Sequence, residues 1–397
     1  MVTWIDENLG FAPCDIKLGQ GVSLLDVRDL IDRKGNDLAI VRNKIQVGAD
    51  ILRSGRKLVV CCDKGISRSA AVSIGILSLL GKSFDNSLKL VEGKIKDQSL
   101  NLDLLDDIKK CIDPEAGKKS KGQKTSKLLV TGGTGFIGTI FVERLCNKYS
   151  FFSPARVEID LAKDVLPLYR EVKNREIDLI IDFAHPRLRN SLQSLSQSIV
   201  MVRNILEVSR LNDVPLIFLS SLDVFEGYHD DVSDLKSNLK PKPTSIFGQS
   251  KALCEELIRV YREVYGLNVT TLRLPYVYGK VMNQPNFFWK TITNASRNAS
   301  ITVHRYLNGF QQFDFLYISD LIDAIENSIR FVPSEDINLG TGKRLSTMDV
   351  AKLIITLTNS ESKINIIDVE DFTTNLIPNT KEAQEIYDRL KTRSSSN

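Results

Sequence analysis

One stretch constrains this chain more than any other: LLVTGGTGFIGTIFVERLC at 128–146. An apolar run that reads as a buried strand passes through Gly132, Gly135 and Gly138 straight into a helical pattern. Glycine lets a ligand approach the main chain closely, and the helix N-terminus behind it favours an anion such as a pyrophosphate. Strand and helix patterns then alternate: IDLIIDFA, a helix around 196–211, PLIFLSS, a helix near 249–265, and NVTTLRL. Such alternation predicts an α/β fold, a Rossmann-type doubly wound parallel sheet, with a smaller C-terminal substrate-binding part.

That pattern accounts for only part of the 397 residues, a length that admits two or three domains. The break is PEAGKKSKGQKT, which has linker composition: proline, glycine and lysine with no large apolar residue. The expected organisation is a small α/β domain at 1–113, a linker at 114–125 and a dinucleotide-binding domain at 126–390, with KTRSSSN as a frayed tail. In the first segment Val22–Val27 and Lys57–Val60 read as strands. Leu38, Val41, Ile45, Ala49 and Leu52 recur at helical spacing up to Ser54-Gly55, Ser69–Leu80 reads as an apolar helix, and amphipathic helices are expected near 85–97 and 101–112.

Five residues, DKGIS, separate Cys62 from Arg68 where a strand turns into a helix. Their amides, the helix N-terminus and the Arg68 guanidinium suit a dianionic phosphate, and the same field favours a Cys62 thiolate. With Gly65 and Ser69, CDKGISRS resembles the HCxxGxSRS signature of the dual-specificity and tyrosine phosphatase family. The resemblance implies that Cys62 attacks phosphorus, Arg68 binds the equatorial oxygens and Ser69 assists release of the thiolate. It also implies a general acid about thirty residues upstream. Asp32 stands 30 residues before Cys62, with Asp29 in reserve and Asp37 better placed as a helix cap. The family's histidine is Cys61 here; the alternative is a loop that binds phosphate without turnover. A vicinal Cys61–Cys62 bridge is a minor option, because adjacent thiols bond only with strain.

From Lys127 to about Ile355 the chain resembles the extended short-chain dehydrogenase/reductase family, the NAD-dependent epimerase/dehydratase group. TGGTGFIG supplies Gly132, Gly135, Phe136, Ile137 and Gly138 as cofactor-binding positions. By the same resemblance Asp160-Leu161 stands near the adenine, Ala184 in FAHPR lines the cofactor, Ser221 in SSLDVFEG is the active-site hydroxyl, and Lys251 in FGQSK is the lysine that serves both cofactor and catalysis. LRLPYVYG, DFLYISDLIDAI and INLGTG match later landmarks, and the segment at 220–227 looks most like reductases of 4-keto-6-deoxy nucleotide sugars.

Two positions depart from that pattern. The catalytic tyrosine is Phe247, which cannot carry a proton; Tyr228 and His229 are candidates to replace it. The arginine that usually grips a sugar-nucleotide diphosphate is Phe313, with Arg305 or His304 as substitutes. The cofactor is NAD or NADP, with a slight lean to NADP: the second strand is poorly marked, and Ser153 and Arg156 could cradle a 2′-phosphate.

A net charge of +4 gives no case for nucleic acid, no apolar run reaches membrane-spanning length, and MVTWIDENLG lacks the apolar core of a secretion signal. Three histidines give little basis for a multi-histidine metal centre, so no metal is expected. The six cysteines read as reduced thiols of a cytoplasmic protein. The expected partners are a small-molecule substrate such as a nucleotide sugar, a phosphorylated substrate at the first domain, and a second copy, by analogy through helices that follow the Ser and Tyr motifs. The reading is a fusion of a phosphatase-like module with an NAD(P)-dependent epimerase, dehydratase or oxidoreductase domain of nucleotide-sugar or surface-glycan metabolism. Its rivals are a phosphatase governed by an NAD(P)-sensing domain and a non-catalytic scaffold.

Overall fold

The structure is a computed structural model that describes residues 2–31, 36–95, 100, 102–112, 126–188, 191–228, 232–279 and 287–385. The expected linker at 114–125 lies outside the described residues. The chain divides into two compact units, 1–123 and 124–397.

In the first unit, β1 (Thr3–Trp4), β2 (Leu9–Pro13), β3 (Val22–Asp26) and β4 (Lys57–Cys62) form one sheet in the order β1-β2-β4-β3. β4 is central and runs parallel to both β2 and β3. Its residues Leu58 to Cys62 are all buried, as expected for a strand covered on both faces. Helix α1 (Leu38–Arg53) is capped by Asp37, whose carboxylate accepts from the Ala39 amide at 2.8 Å. Helix α2 (Arg68–Leu79) is buried from Ser69 to Leu77 and packs against α1, α3 (Phe84–Glu92) and α4 (Leu102–Ile112). An apolar helix with no polar face can only be central, and this one carries Arg68 and Ser69 at its start.

The cysteines depart from expectation. Cys14 and Cys61 form a disulfide, with Cα atoms 4.9 Å apart. The parallel register sets Ala12 beside Cys61 and Pro13 beside Cys62, which brings Cys14 to its partner within bridging range. Cys62 stays a free thiol, and Cys61 bonds to Cys14 and not to its neighbour. The bridge also removes the support that reduced thiols gave to a cytoplasmic setting.

The second unit is built on six parallel strands. These are β5 (Lys127–Thr131), β6 (Ser150–Phe152), β7 (Leu179–Asp182), β8 (Leu216–Ser221), and the strands Val269–Leu274 and Asp336–Asn338. In space β6 lies outside β5 at one edge, and β7, β8, Val269–Leu274 and Asp336–Asn338 follow on the other side. The order reverses between β5 and β7, and ligands of such sheets bind at that crevice. Helices α5 (Phe136–Leu145), α6 (Leu166–Arg175), α7 (Leu192–Asn212) and α8 (Ile246–Tyr265) provide crossovers, and one core runs from Leu128 and Val130 through Ile181 and Ile217 to Leu272 and Ile337.

Beneath the strand ends lies a buried ion pair. Arg273 and Glu255 meet at 2.8 Å, with side chains only 3% and 5% exposed. The Ser220 hydroxyl donates to Glu255, and Arg273 also reaches Asp336 at 3.1 Å and the Ser237 carbonyl at 2.7 Å. Two charges this deep need such partners on every side. The network ties α8 to three strands and so fixes the helix that carries Phe247 and Lys251. A smaller part follows: helices Phe287–Ala295 and Thr347–Leu357 and the strands Ile301–Tyr306 and Ile364–Asp368 close over their own core of Ile301, Val303, Val350 and Ile354. Among the described residues no helix is long and apolar enough to cross a membrane.

Candidate functional sites

Each unit has a strand–turn–helix loop with a positive-φ glycine in its bend. In the first, β4 ends at Cys62 and α2 begins at Arg68. Gly65 has φ +63°, and a Cβ there would lie 2.2 Å from the Ala12 carbonyl carbon and the Pro13 nitrogen. Only glycine lets the loop fold back against the end of β2. Burial pushes the Cys62 thiol up. Hydrogen bonds from the Ser69 hydroxyl and from the amides of Ser69, Ile66 and Gly65 outweigh it and hold the thiol below its ordinary value. The Ser69 hydroxyl lies 3.4 Å from the Cys62 sulfur. A loop whose amides converge on a sulfur also presents them to an anion bound there.

Arg68 is held from behind, donating to the carbonyls of Arg28 at 3.2 Å and Leu30 at 3.0 Å. Its other terminal nitrogen pairs with Asp63 of the same loop. That carboxylate would compete with an incoming phosphate, and no sequence motif had singled it out. Asp29 forms an ion pair with Lys44 at 2.9 Å. Asp32 lies outside the described residues.

In the second unit β5 ends at Thr131 and α5 begins at Phe136, with Gly135 as its cap. Gly132 has φ +67°, and a Cβ there would sit 2.7 Å from the backbone of Phe183 and Ala184 at the end of β7. A Cβ on Gly138 would meet the Gly132 carbonyl oxygen at 2.4 Å. The turn is therefore a cradle of bare backbone that side chains would fill, and Gly135 has no side chain to occupy the first-turn amides. These residues fit a dinucleotide pyrophosphate. Ser153, just past β6, approaches Gly133 so closely that a Cβ there would lie 1.9 Å from its hydroxyl oxygen. Ser153 thus stands where NAD-binding sheets carry a ribose-reading acid. Asp160 accepts from the Ala162 amide at 3.1 Å, with Arg156 at 3.8 Å, and the Leu161 carbonyl accepts from Asn204 at 2.8 Å.

Asp182, also missed in the sequence, is buried at the end of β7. It accepts from the Thr131 hydroxyl and from the Ala184 amide at 3.0 Å. Burial drives its carboxyl above the usual range, and the nearby Lys251 charge offsets part of that. Lys251, 8% exposed, donates to the Leu219 carbonyl at 2.7 Å and lies 6.0 Å from the centre of the Phe247 ring. Ser221 accepts from the Asp223 amide at 3.2 Å, which leaves its own proton to donate elsewhere.

Phe247 packs edge-to-face on His185, with ring centres 5.1 Å apart. Of the two candidates to replace the missing phenol, Tyr228 donates its hydroxyl to the Lys240 carbonyl at 2.8 Å, and His229 lies outside the described residues. Phe313 stacks with Tyr276 and Phe315 at 5.6 and 5.8 Å. Arg305 is committed to Asp368 at 2.6 Å on an exposed strand, and His304 packs on Tyr306.

The model of the NAD dependent epimerase/dehydratase family matches residues 128–340, more than half of the chain. The chain belongs to that family. It is 26% identical over 250 residues to a putative UDP-glucose 4-epimerase of Methanocaldococcus jannaschii, covering 57% of this chain and 81% of that protein. It is 32% identical to the dTDP-D-glucose 4,6-dehydratase of Bos taurus, over 43% of this chain and 49% of that one. The fold matches the UDP-glucose 4-epimerase of Thermus thermophilus solved with NAD, with a TM-score of 0.57 at 20% identity over 66% of this chain and 93% of that one. The dTDP-glucose 4,6-dehydratase of Bacillus anthracis solved with NAD gives the same TM-score at 20% identity, over 66% of this chain and 90% of that chain. The expectation of a nicotinamide dinucleotide, NAD or NADP, agrees with the family and with these neighbours. The residues matched by the family model lie within the second unit.

Proposed function

We propose that the second unit is an NAD(P)-dependent enzyme of nucleotide-sugar metabolism, with epimerase, dehydratase or oxidoreductase chemistry. The observation that carries this is the bare backbone cradle Gly132–Gly138 at the reversal of strand order, with Lys251 and Ser221 behind it in a family member. The amides of the turn and of α5 hold the pyrophosphate, Asp160 and Leu161 border the adenine, Ala184 lines the cofactor and Lys251 holds the ribose beside the nicotinamide. When bound, the dinucleotide supplies hydride transfer; the chain supplies orientation and proton handling. Ser153 in place of an acid supports NADP over NAD. Exposed Leu253, Val260 and Val264 on α8, the helix that follows the Tyr position, support a homodimer.

The first unit, in the same proposal, binds a phosphorylated substrate and hydrolyses it through Cys62, with Arg68 as clamp, Ser69 aiding thiolate release and Asp32 as acid. The lowered Cys62 pKa and its amide cradle support this. Phe247 favours a second reading, in which the second unit senses the dinucleotide and governs the phosphatase. Calorimetry with NAD, NADH, NADP and NADPH tests the cofactor site: binding of at least one form is expected, the NADP pair more tightly. Absence of binding by all four overturns the dinucleotide reading. An NADP-induced change in hydrolysis of an aryl phosphate would favour the sensing role.

A further inference from the structure

The bridge between Cys14 and Cys61 stands one residue before the Cys62 sulfur, and no step of the proposed chemistry uses it. We propose that it is a redox latch on the Cys62–Arg68 loop: closed, it holds the loop in its anion-binding form, and opened by a dithiol it lets the loop slacken and lowers its affinity for phosphate. This rests on the reading of the first unit as a phosphate binder.

The bridge sits where β2 supports the loop. Successive residues of a strand point to opposite faces, so Cys61 faces the bridge while Cys62 faces the loop. The entrance of the loop and its bend both lean on the end of β2. The Cys14 amide donates to the Cys62 carbonyl at 3.1 Å, and Gly65 turns so close to Ala12 and Pro13 that a Cβ would lie 2.2 Å from their backbone. The bridge ties this end of β2 covalently to β4, and so fixes the wall against which the loop amides are aimed at the Cys62 sulfur.

A second connection runs through Asp26. β3 sets Asp26 directly opposite Cys61, and its carboxylate lies 3.4 Å from the Cys14 sulfur. Asp26 also grips the Arg28 guanidinium at 2.6 Å, and the Arg28 carbonyl is one of the two that hold Arg68 from behind. In the bridge the Cys14 sulfur carries no proton and cannot donate. Once reduced, it gains an S–H with an acceptor already in reach. Cys14 thus has two partners, Cys61 when oxidised and Asp26 when reduced, as a two-state element requires. Cys14 is only half-buried and open to a small dithiol, whereas Cys61 is fully buried.

Opening is thiol–disulfide exchange. A thiolate of the dithiol attacks the Cys14 sulfur, the Cys14–Cys61 bond breaks, and Cys61 leaves as a thiolate that takes up a proton. The second thiol of the reagent then attacks the mixed disulfide, closes into a cyclic disulfide and releases Cys14 as a thiol. Two electrons pass from the dithiol to the bridge, and a disulfide oxidant reverses the exchange.

Peptide mass spectrometry of the full chain, equilibrated in air and handled without reductant, is expected to find Cys14 joined to Cys61 and Cys62 free. Dithiothreitol followed by desalting under nitrogen is expected to open the bridge and to weaken the calorimetric Kd for inorganic phosphate roughly three- to tenfold. It is also expected to move the half-maximal pH of Cys62 alkylation up toward the ordinary thiol value of about 8.5. Reoxidation with oxidised glutathione, followed by the same peptide map, is expected to restore both. Cys14→Ser, which cannot form the bridge, is expected to behave as the reduced wild type and not to respond to dithiothreitol.

Absence of the Cys14–Cys61 peptide from the air-equilibrated protein overturns the proposal. So do a phosphate affinity and a Cys62 alkylation profile that stay unchanged when the bridge is shown to be open. A dithiothreitol response that persists in Cys14→Ser overturns it too, since the reagent then acts on another thiol. If Cys14→Ser fails to fold, the reduced and reoxidised wild type decide. If phosphate binds in neither state, the phosphate reading fails, and the Cys62 alkylation profile, which needs no ligand, still decides whether the bridge governs the loop.

Discussion

The two strand–turn–helix loops, Cys62–Arg68 and Gly132–Gly138, begin from the same physics and end as different instruments. Both place main-chain amides and a helix N-terminus at the end of a buried parallel strand, where an anion is welcome. The first loop adds a sulfur at its centre and a guanidinium at its rim, which the proposed reading assigns to a compact dianion. The second adds nothing: Gly132, Gly135 and Gly138 strip the surface to backbone, and Phe183–Ala184 close its side. Such a cradle admits a long ligand along the crevice but offers it no nucleophile. Any chemistry there has to come from side chains on other elements.

The two buried thiols extend the comparison. On α8, burial outweighs the nearby Lys251 charge and pushes the Cys254 thiol up to about 12. Cys62 shifts the opposite way: its burial penalty is outweighed by hydrogen bonds from the Ser69 hydroxyl and the amides of Ser69, Ile66 and Gly65. Burial alone disfavours the thiolate; hydrogen bonds from surrounding amides favour it.

The largest expected effect is at Cys62. Cys62→Ser is predicted to bring aryl phosphate hydrolysis to the uncatalysed rate while vanadate still binds by calorimetry, because the amides and Arg68 remain. Retained turnover would remove Cys62 from the chemistry.

Next is Gly138→Val, whose Cβ would press on the Gly132 carbonyl. NADP affinity is predicted to fall at least about tenfold, or roughly 1.4 kcal/mol, with aryl phosphate hydrolysis unchanged. Unaltered affinity would show that the cradle does not hold the dinucleotide, and altered hydrolysis would argue for the sensing role.

A smaller effect appears in alkylation by iodoacetamide. The thiolate is the reactive form, so the rate rises as pH passes upward through the thiol's pKa. Cys62 is predicted to reach its half-maximal rate below the ordinary thiol value of about 8.5, while Cys254 stays unreactive through that range. Coincident profiles would erase the distinction between the two thiols.

The smallest effect is at the loop rim. Asp63→Asn frees Arg68 from a competing carboxylate and is predicted to tighten inorganic phosphate binding about two- to fivefold; the exposure of Asp63 keeps the gain modest. Weaker binding would mean that Asp63 orients Arg68 more than it competes.

Much of this was legible in the sequence because local pattern dictated it. TGGTGFIG could be read as a turn between strand and helix because no other residues tolerate Gly132's φ of +67° and the approach of Ala184. Asp37 was readable as a cap, and CDKGISRS as an anion loop, since each is a contiguous segment with its own geometry. The strand Leu9–Pro13 was not foreseen, and with it went the Cys14–Cys61 bridge. Residues 47 positions apart become neighbours only when β2 takes its place beside β4. Asp63 against Arg68 depended on how a guanidinium is anchored from β3's far end, and Asp182 on which strands lie side by side. His185 belongs to the same class. In the sequence it is one residue of FAHPR, 62 positions from Phe247. Only the crossover through α7, β8 and α8 lays the two rings together. Backbone geometry is encoded by neighbours along the chain, whereas contacts between side chains from distant strands are decided by the order of the sheet.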